Sequence, residues 1–561
     1  MEKLKPKLFS VMKTYTKEQF IKDVIAGIIV AIIALPLSIA LALASGVGPE
    51  KGLYTAIVAG FVISFLGGSR VQISGPTAAF ATIVAGIVAT SGLEGLAVAT
   101  IMAGILLIIM GLLRLGSLIR FIPYTITTGF TAGIAVTIAI GQIKDFLGLS
   151  YPKGTSPVET MEKLKAVMQN IGTLNVQALI VGILCLAVLI LWPLLGKKLS
   201  GRAGAVIMAI PASLLAVILG IVLVSGLKLK VNTIGTLYEI SNKPPMFSLP
   251  VISFDLIRSQ FGNALTIAIL AAVESLLSCV VSDSMINSRH NSNMELVAQG
   301  AGNIFSAMFG GIPATGAIAR TAANVKNGGR MPVSGMVHAV VLLLILVILM
   351  PYAALIPMPA IAAILFMVAY NMCGYKEFAY LIKTSPKSDI AVLLVTFFLT
   401  VVFDLVIAIE VGIVFAAILF MKRMSDVTQI EGWKYIEGEN DPDSIELKAV
   451  PENTLVYEIS GPMFFAAAEK LLRISFYDNT KCLVIRMRSV SAIDATAMHN
   501  LEQLLDSCRK ANVQLVLSHV NEQPMKVMQK SGFFDAVGAE NFCAHIDDAL
   551  LRAKECSEQM I

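Results

Sequence analysis

From Val24 to about residue 421 the chain is a succession of apolar runs separated by short polar breaks, more apolar sequence than any single soluble core needs. A bilayer core takes about 20 apolar residues per helix. Runs lie near 24–44, 53–66, 77–91, 95–114, 121–142, 176–196, 204–225, 262–281, 295–309, 318–325, 333–351, 354–372, 388–404 and 405–421. The expected fold is a polytopic α-helical membrane protein of about fourteen spans over residues 23–421. Composition agrees, with 56% hydrophobic and 14% charged residues, against about 45–50% and about 25% in ordinary soluble domains. The mean hydropathy is +0.78.

Charge placement sets the expected topology. Lys3, Lys5, Lys7, Lys13, Lys17 and Lys22 precede the first run. That run is too long for the apolar region of a cleaved signal and has no convincing cleavage site, so residues 1–22 read as a cytoplasmic N-terminal segment. An even number of spans puts both termini on one side. Arg114, Arg120, Lys197, Lys198, Arg202, Arg289, Lys326, Arg330, Lys376, Lys383, Lys387, Lys422 and Arg423 then fall on that same side. The expectation is a multi-pass protein of the inner (plasma) membrane, with both termini cytoplasmic and lipid as its solvent.

The net charge of +5 is small for 561 residues and points to no nucleic-acid partner. Cys185, Cys279, Cys373, Cys482, Cys508, Cys543 and Cys556 are scattered, with no CxxC pair and no histidine cluster beside them. A zinc site or disulfide framework is not expected, nor is any cofactor. No nucleophile–base pair or metal set stands out among five histidines, so an enzyme is not expected.

Beyond residue 421 charges become frequent. Residues 422–435 read as a linker and 436–561 as a small soluble α/β domain. Segments 454–459, 481–487 and 513–520 read as buried strands. Helical patterns follow at 464–475, 494–510, 522–531 and 545–556, and the alternation argues for a sheet with helices on it. No Gly-rich phosphate loop opens any of these helices.

Two of the apolar runs are too short to cross a membrane. In QISGPTAAF, 72–80, Gly75 and Pro76 interrupt apolar sequence, so a half-helix of about 77–91 begins near Pro76 or Thr77. In GGIPATGAIARTAANVKNGG, 310–329, a second break leads into a short helix of about 318–325. Paired, Gly/Pro-interrupted segments in two halves of a chain point to a transporter's binding site. Two helix N-termini facing each other at the midplane make an anion site, to which Arg320 adds a full charge. The candidate substrate-binding residues are Ser74, Gly75, Pro76, Thr77 and Ala78 with Ala317, Ile318, Ala319 and Arg320. Ordinary kinks or surface loops are the alternative reading.

Glu274 is the acid within ALTIAILAAVESLLSCVV, 264–281, and Ser278 shares its helix face. A carboxylate there needs a proton, a cation or an arginine. Glu274 is the candidate coupling-ion residue, loading a proton, or binding sodium together with Ser278. A structural ion pair with Arg320 is the alternative. Asp404 and Glu410 fit a solvated turn, and His338 reads as a core or cavity histidine.

These residues resemble the SulP anion permease family, relatives of pendrin and prestin. The resemblance rests on PEKGLYTAIVAGFVISFLGGSR (49–70) with VQISGPTAAF, and on ELVAQGAGNIFSAMFGGIPATGAIARTAANVKNGG (295–329). GPMFFAAAEKL (461–471) and SAIDATAM (491–498) look like a STAS domain. The resemblance implies a seven-plus-seven inverted repeat with core and gate domains. It implies an anion between Thr77–Ala78 and Ala319–Arg320, and a coupling acid at Glu274. It also implies a homodimer and proton- or sodium-linked uptake of sulfate, bicarbonate or dicarboxylate.

The chain departs from the family pattern in places. ALPLSIALALA carries Leu37 and Leu41 where many members have Gln and Tyr, and Lys51 stands where many have Tyr. Ala495 follows Asp494 where some STAS proteins carry a phosphorylatable Ser, which leaves Thr496 as the nearby hydroxyl. The functional expectation is an elevator-type secondary active anion transporter with a cytoplasmic STAS domain that serves as a regulatory docking module for a protein partner, with a dimer brace or a folding aid as its alternatives. A passive anion channel or uncoupled exchanger is the alternative. A nucleobase permease of like architecture fits less well, since its ligands are largely neutral.

Overall fold

A computed structural model describes residues 4–559 apart from 118–122, 153–156, 158, 199–209, 404, 433–449, 466–470, 472–473, 475 and 477–478. The chain forms two compact units, Met1–Ile413 and Val414–Ile561.

The first unit is helical. Its main helices are α1 (Lys17–Ala44), α2 (Pro49–Leu66), α3 (Ala81–Leu112), α4 (Tyr124–Leu147), α5 (Val176–Lys198), α6 (Ala212–Gly226), α7 (Phe254–Ile286), α8 (Ser292–Met308), α9 (Ile318–Lys326), α10 (Val333–Ala353), α11 (Met358–Cys373) and α12 (Lys387–Val402). A further helix, α13 (Leu405–Val427), contains the division between the units. Among the described residues eight helices are long and apolar enough to cross a membrane. The apolar surface they present is what a lipid solvent requires: on α5, Ile180, Ile183, Leu191 and Leu194 are all exposed.

Several boundaries differ from the sequence reading for local reasons. The third and fourth runs form two helical pieces of α3, the first starting at Ala81, and they are separated at Gly92, whose non-helical φ 66° and ψ −168° glycine adopts without a Cβ clash. The 204–225 run yields a helix only from Ala212, residues 204–209 lying outside the described residues. An amphipathic helix, Tyr375–Thr384, follows α11 where no helix was expected. Asp404 and the Glu410 side chain lie outside the described residues.

Helices of this unit approach closely where side chains are small. A Cβ on Gly104 of α3 would stand 2.6 Å from the Gly300 carbonyl of α8, and the crossing is reciprocal. Such crossings let backbones touch where lipid supplies no hydrophobic drive for association.

Between α2 and α3 lies a two-residue strand, β1 (Ser74–Gly75), and before α9 another, β2 (Thr315–Gly316). They pair antiparallel, Ser74 with Gly316 and Gly75 with Thr315. This ribbon brings the two Gly/Pro breaks together.

The second unit holds a five-stranded sheet ordered β3 (Gln429–Gly432), β4 (Thr454–Ser460), β5 (Cys482–Ser489), β6 (Gln514–Ser518) and β7 (Phe542–Cys543). Only β3 runs antiparallel. The stretch expected as a linker, 422–435, is therefore partly structured: α13 continues to Val427 and Gln429–Gly432 forms the sheet's first strand. Alternation along β5 sends Leu483, Ile485 and Met487 to one core with α14 (Ala495–Lys510) and α15 (Glu522–Ser531), and Cys482 and Val484 to another with α16 (Ile546–Gln559). Burial on both faces explains why β5 reads as an unbroken apolar run. Most of the helix expected at 464–475 lies outside the described residues.

Candidate functional site

Each strand of the ribbon runs directly into a helix start. After β1, Pro76 and an extended Thr77 (φ −125°, ψ 160°) lead into a 3-10 turn at Ala78–Phe80 and then α3. After β2, Ala317 precedes α9. Neither start carries a side-chain cap. The first N–H groups of both helices are thus free of intrahelical partners, with the positive ends of two helix dipoles beside the ribbon.

The ribbon is clamped from behind. Thr315 Oγ1 lies 2.7 Å from Ser275 Oγ, and Gly316 N donates to Ser275 Oγ at 3.2 Å. Asn303 of α8 donates to Ala314 O at 2.9 Å and accepts from Ala314 N at 2.9 Å. Thr321 of α9 accepts from Ile73 N at 3.0 Å.

Arg320 lies at the heart of the arrangement. It is 3% exposed, and its Nη2 donates to the Pro76 carbonyl at 3.3 Å, while Nη1 has no partner. Gly75 makes room for it, since a Cβ there would stand 2.7 Å from Nη1. A buried cation at membrane depth costs about 2.5–3.5 kcal/mol on insertion scales. Among the described residues no carboxylate is bonded to Arg320, and Glu274 does not pair with it. Instead Glu274 Oε2 accepts from Thr77 Oγ1 at 3.0 Å. The structural ion pair entertained from sequence is absent. In its place are an acid bonded to one half-helix start and an unneutralised guanidinium on the other.

The candidate residues fall in three groups. Ser74, Gly75 and Pro76 are buried in and beside the ribbon, Ser74 Oγ accepting from Gln299 Nε2 at 3.2 Å. Thr77 and Ala78 open one helix, and Ala317, Ile318, Ala319 and Arg320 open the other, with Ile318 and Ala319 exposed. Ser278 stands apart from this arrangement: it is fully buried and donates to Thr321 Oγ1 at 3.3 Å, bracing α9. Among the described residues no group of three or more His, Cys, Asp or Glu is placed to hold a metal ion.

Two fully buried carboxylates escaped the sequence reading. Glu295 accepts from Gly68 N, Ser69 N, Gln72 Nε2 and Gln299 Nε2 at 2.8–3.1 Å. Asp23 accepts from Tyr15 Oη, Gln19 Nε2, Arg330 N and Met331 N at 2.7–3.3 Å, tying α1 to the turn after α9. Outside the membrane-spanning segments, burial and the neighbouring Asp23 push the Tyr15 phenol upward. The overlooked signal for Glu295 was spacing: Glu295, Gln299 and Asn303 recur every four residues along one face of α8.

Residues 20–396 match the family model described as Sulfate permease family, and 445–549 match that of the STAS domain. The chain is 39% identical over 542 residues to "Putative sulfate transporter YvdB" of Bacillus subtilis, covering 96% of this chain and 98% of that protein. It is 30% identical over 552 residues to "Bicarbonate transporter BicA" of Picosynechococcus sp., covering 95% and 94%. Its fold is similar to that of SLC26A9, with a TM-score of 0.86 at 19% identity over 99% of this chain and 93% of that one. It is also similar to the transmembrane domain of a cyanobacterial bicarbonate transporter BicA, with a TM-score of 0.60 at 29% identity over 72% and 98%.

Proposed function

We propose that this chain, which belongs to the sulfate permease family of sulfate and bicarbonate anion transporters, is a secondary active transporter of a small anion, coupled to protons or sodium through Glu274. The substrate class is sulfate or a related oxyanion, bicarbonate or a dicarboxylate. The observation that carries the reading is Arg320, a buried guanidinium with a free Nη1 and, among the described residues, no carboxylate partner, beside two uncapped helix starts. An anion is the group that such a place lacks.

Glu274 supplies the coupling. Ionised, it sets a negative charge one hydrogen bond from the Thr77 helix start and opposes an anion there. A proton or sodium ion on Glu274 removes that opposition. By reciprocity the bound anion favours the neutralised acid, so the two load together. Alternating access is of the elevator type, the ribbon with α3, α7, α8 and α9 moving as a body against α4, α5, α6, α11 and α12. The protein works as a homodimer in the inner membrane with both termini cytoplasmic, the Lys-rich segment before α1 supporting that orientation. Its STAS domain is a docking module for a cytoplasmic protein.

Uptake into proteoliposomes tests this. Sulfate, bicarbonate and a dicarboxylate are offered with an imposed pH or sodium gradient, and accumulation of one of them above equilibrium is expected. Flux without gradient-driven accumulation, at channel-like rates, would favour a passive channel or an uncoupled exchanger.

A further inference from the structure

The helix Tyr375–Thr384 lies between α11 and α12, and none of its residues is fully buried. Gly374 separates it from α11. Its φ of 51° is left-handed, which breaks the helical path where a candidate membrane span approaches its end. Ser385 and Pro386 then lead into α12.

Successive residues of a helix stand about 100° apart, which gives this one distinct sides. Phe378 and Leu381 are half-buried, Phe378 against Phe397 of α12 with ring centroids 5.3 Å apart. Next round the helix come Tyr375, Ala379 and Ile382, all exposed. Beside them stand Lys376 and Lys383, also exposed. The two lysines are seven positions apart, hence on one side and about 10.5 Å apart along the axis. Glu377, the acid of this helix, falls about 100° further round. Among the described residues neither lysine is in an ion pair.

The apolar side continues the outer surface of α11. Tyr375 meets the exposed Tyr370 of α11 with ring centroids 5.9 Å apart, and the Lys376 ammonium stands 6.0 Å from the centre of the Tyr375 ring. Water would solvate the lysines and leave Tyr375, Ala379 and Ile382 uncovered. A bilayer interface serves both sides at once, with rings and apolar groups at the acyl boundary and ammonium groups among the phosphates. Two unneutralised lysines on one side favour negative headgroups over zwitterionic ones.

We propose that the Tyr375–Thr384 helix lies in the membrane interface and binds anionic phospholipid. Lys376 and Lys383 hold the headgroup phosphates, and Tyr375, Ala379 and Ile382 lie against the acyl chains. The inference goes beyond the transport reading and does not depend on it.

Photoactivatable phosphatidylglycerol tests it, offered to the full chain in phosphatidylcholine nanodiscs at a share too low to saturate the site. Labelling of residues 375–384, read by mass spectrometry, is expected to exceed that by photoactivatable phosphatidylcholine. A lysine at an anionic surface is worth about fivefold in affinity. Lys376→Gln and Lys383→Gln are therefore each expected to lower phosphatidylglycerol labelling about fivefold, and the Lys→Arg variants to retain it. Ile382→Ser is expected to lower labelling by both lipids. Equal labelling by the two lipids, or phosphatidylglycerol labelling unchanged in both Lys→Gln variants, would overturn the inference. So would an Ile382→Ser variant that keeps its labelling and changes only its oligomeric state, which would make this face a contact between copies of the chain. None of these readouts requires transport, so a chain that takes up no anion sinks the transport reading and leaves the lipid result standing.

Discussion

At the scale of single residues, the proposed site divides its work between two charges that do not pair. Arg320→Ala is expected to weaken anion binding at least about tenfold, since a charge-assisted contact is lost; calorimetric titration of purified protein with the anion checks it. Affinity at the wild-type level would show that backbone N–H groups suffice. Glu274→Gln is isosteric and still meets the Thr77 hydroxyl, so anion binding should survive while gradient-driven accumulation is lost. Accumulation that persists in this variant removes Glu274 from the coupling step. Much of this was legible beforehand, because Pro76 and Gly75 cannot continue a helix and an Arg in apolar sequence is conspicuous. The partner choices were not. Whether Glu274 meets Arg320 or Thr77 depends on how α7 lies against the ribbon, which pattern alone does not encode, and the same holds for Ser278 bonding to Thr321.

At the scale of elements, short loops and half-helices are held by polar side chains on long helices. Glu295 gathers four N–H donors from the 68–72 loop and from α8 itself. Replacing it with Gln turns an N–H group toward donors in a dry place, at a cost of about 1–3 kcal/mol. A lowered melting temperature of the detergent-solubilised protein is the expected result. The apolar runs were legible because period and length carry the signal. The face of α8 bearing Glu295, Gln299 and Asn303 was not, because a run read as a span hides its polar stripe until something is known to face it. Strand β3 was missed for a different reason. Gln429–Gly432 is too short to alternate visibly, and its pairing with β4 comes from tertiary context.

At the scale of the whole molecule, two chemically distinct cores answer to different solvents. In the second unit, burial pushes the Cys482 and Cys508 thiols up to about 12 from an ordinary 9.0. Folding thus favours the neutral thiol, and its contribution is complete below pH 9 and is lost as pH rises from about 9 to about 12. Iodoacetamide at pH 8 should leave both thiols unmodified in the native protein and label them once it is unfolded, as read by mass spectrometry. In the first unit the ribbon joins distant parts of the chain, Arg320 lying 244 positions after Pro76. At synthesis rates of about 5–20 residues per second, the earlier half of the site waits about 10–50 s for its complement. Through that interval the nascent membrane segment carries an unpaired strand and an uncapped helix start in lipid. The proposed binding site is thus also a point of exposure during biogenesis, where an insertion chaperone would have something to shield.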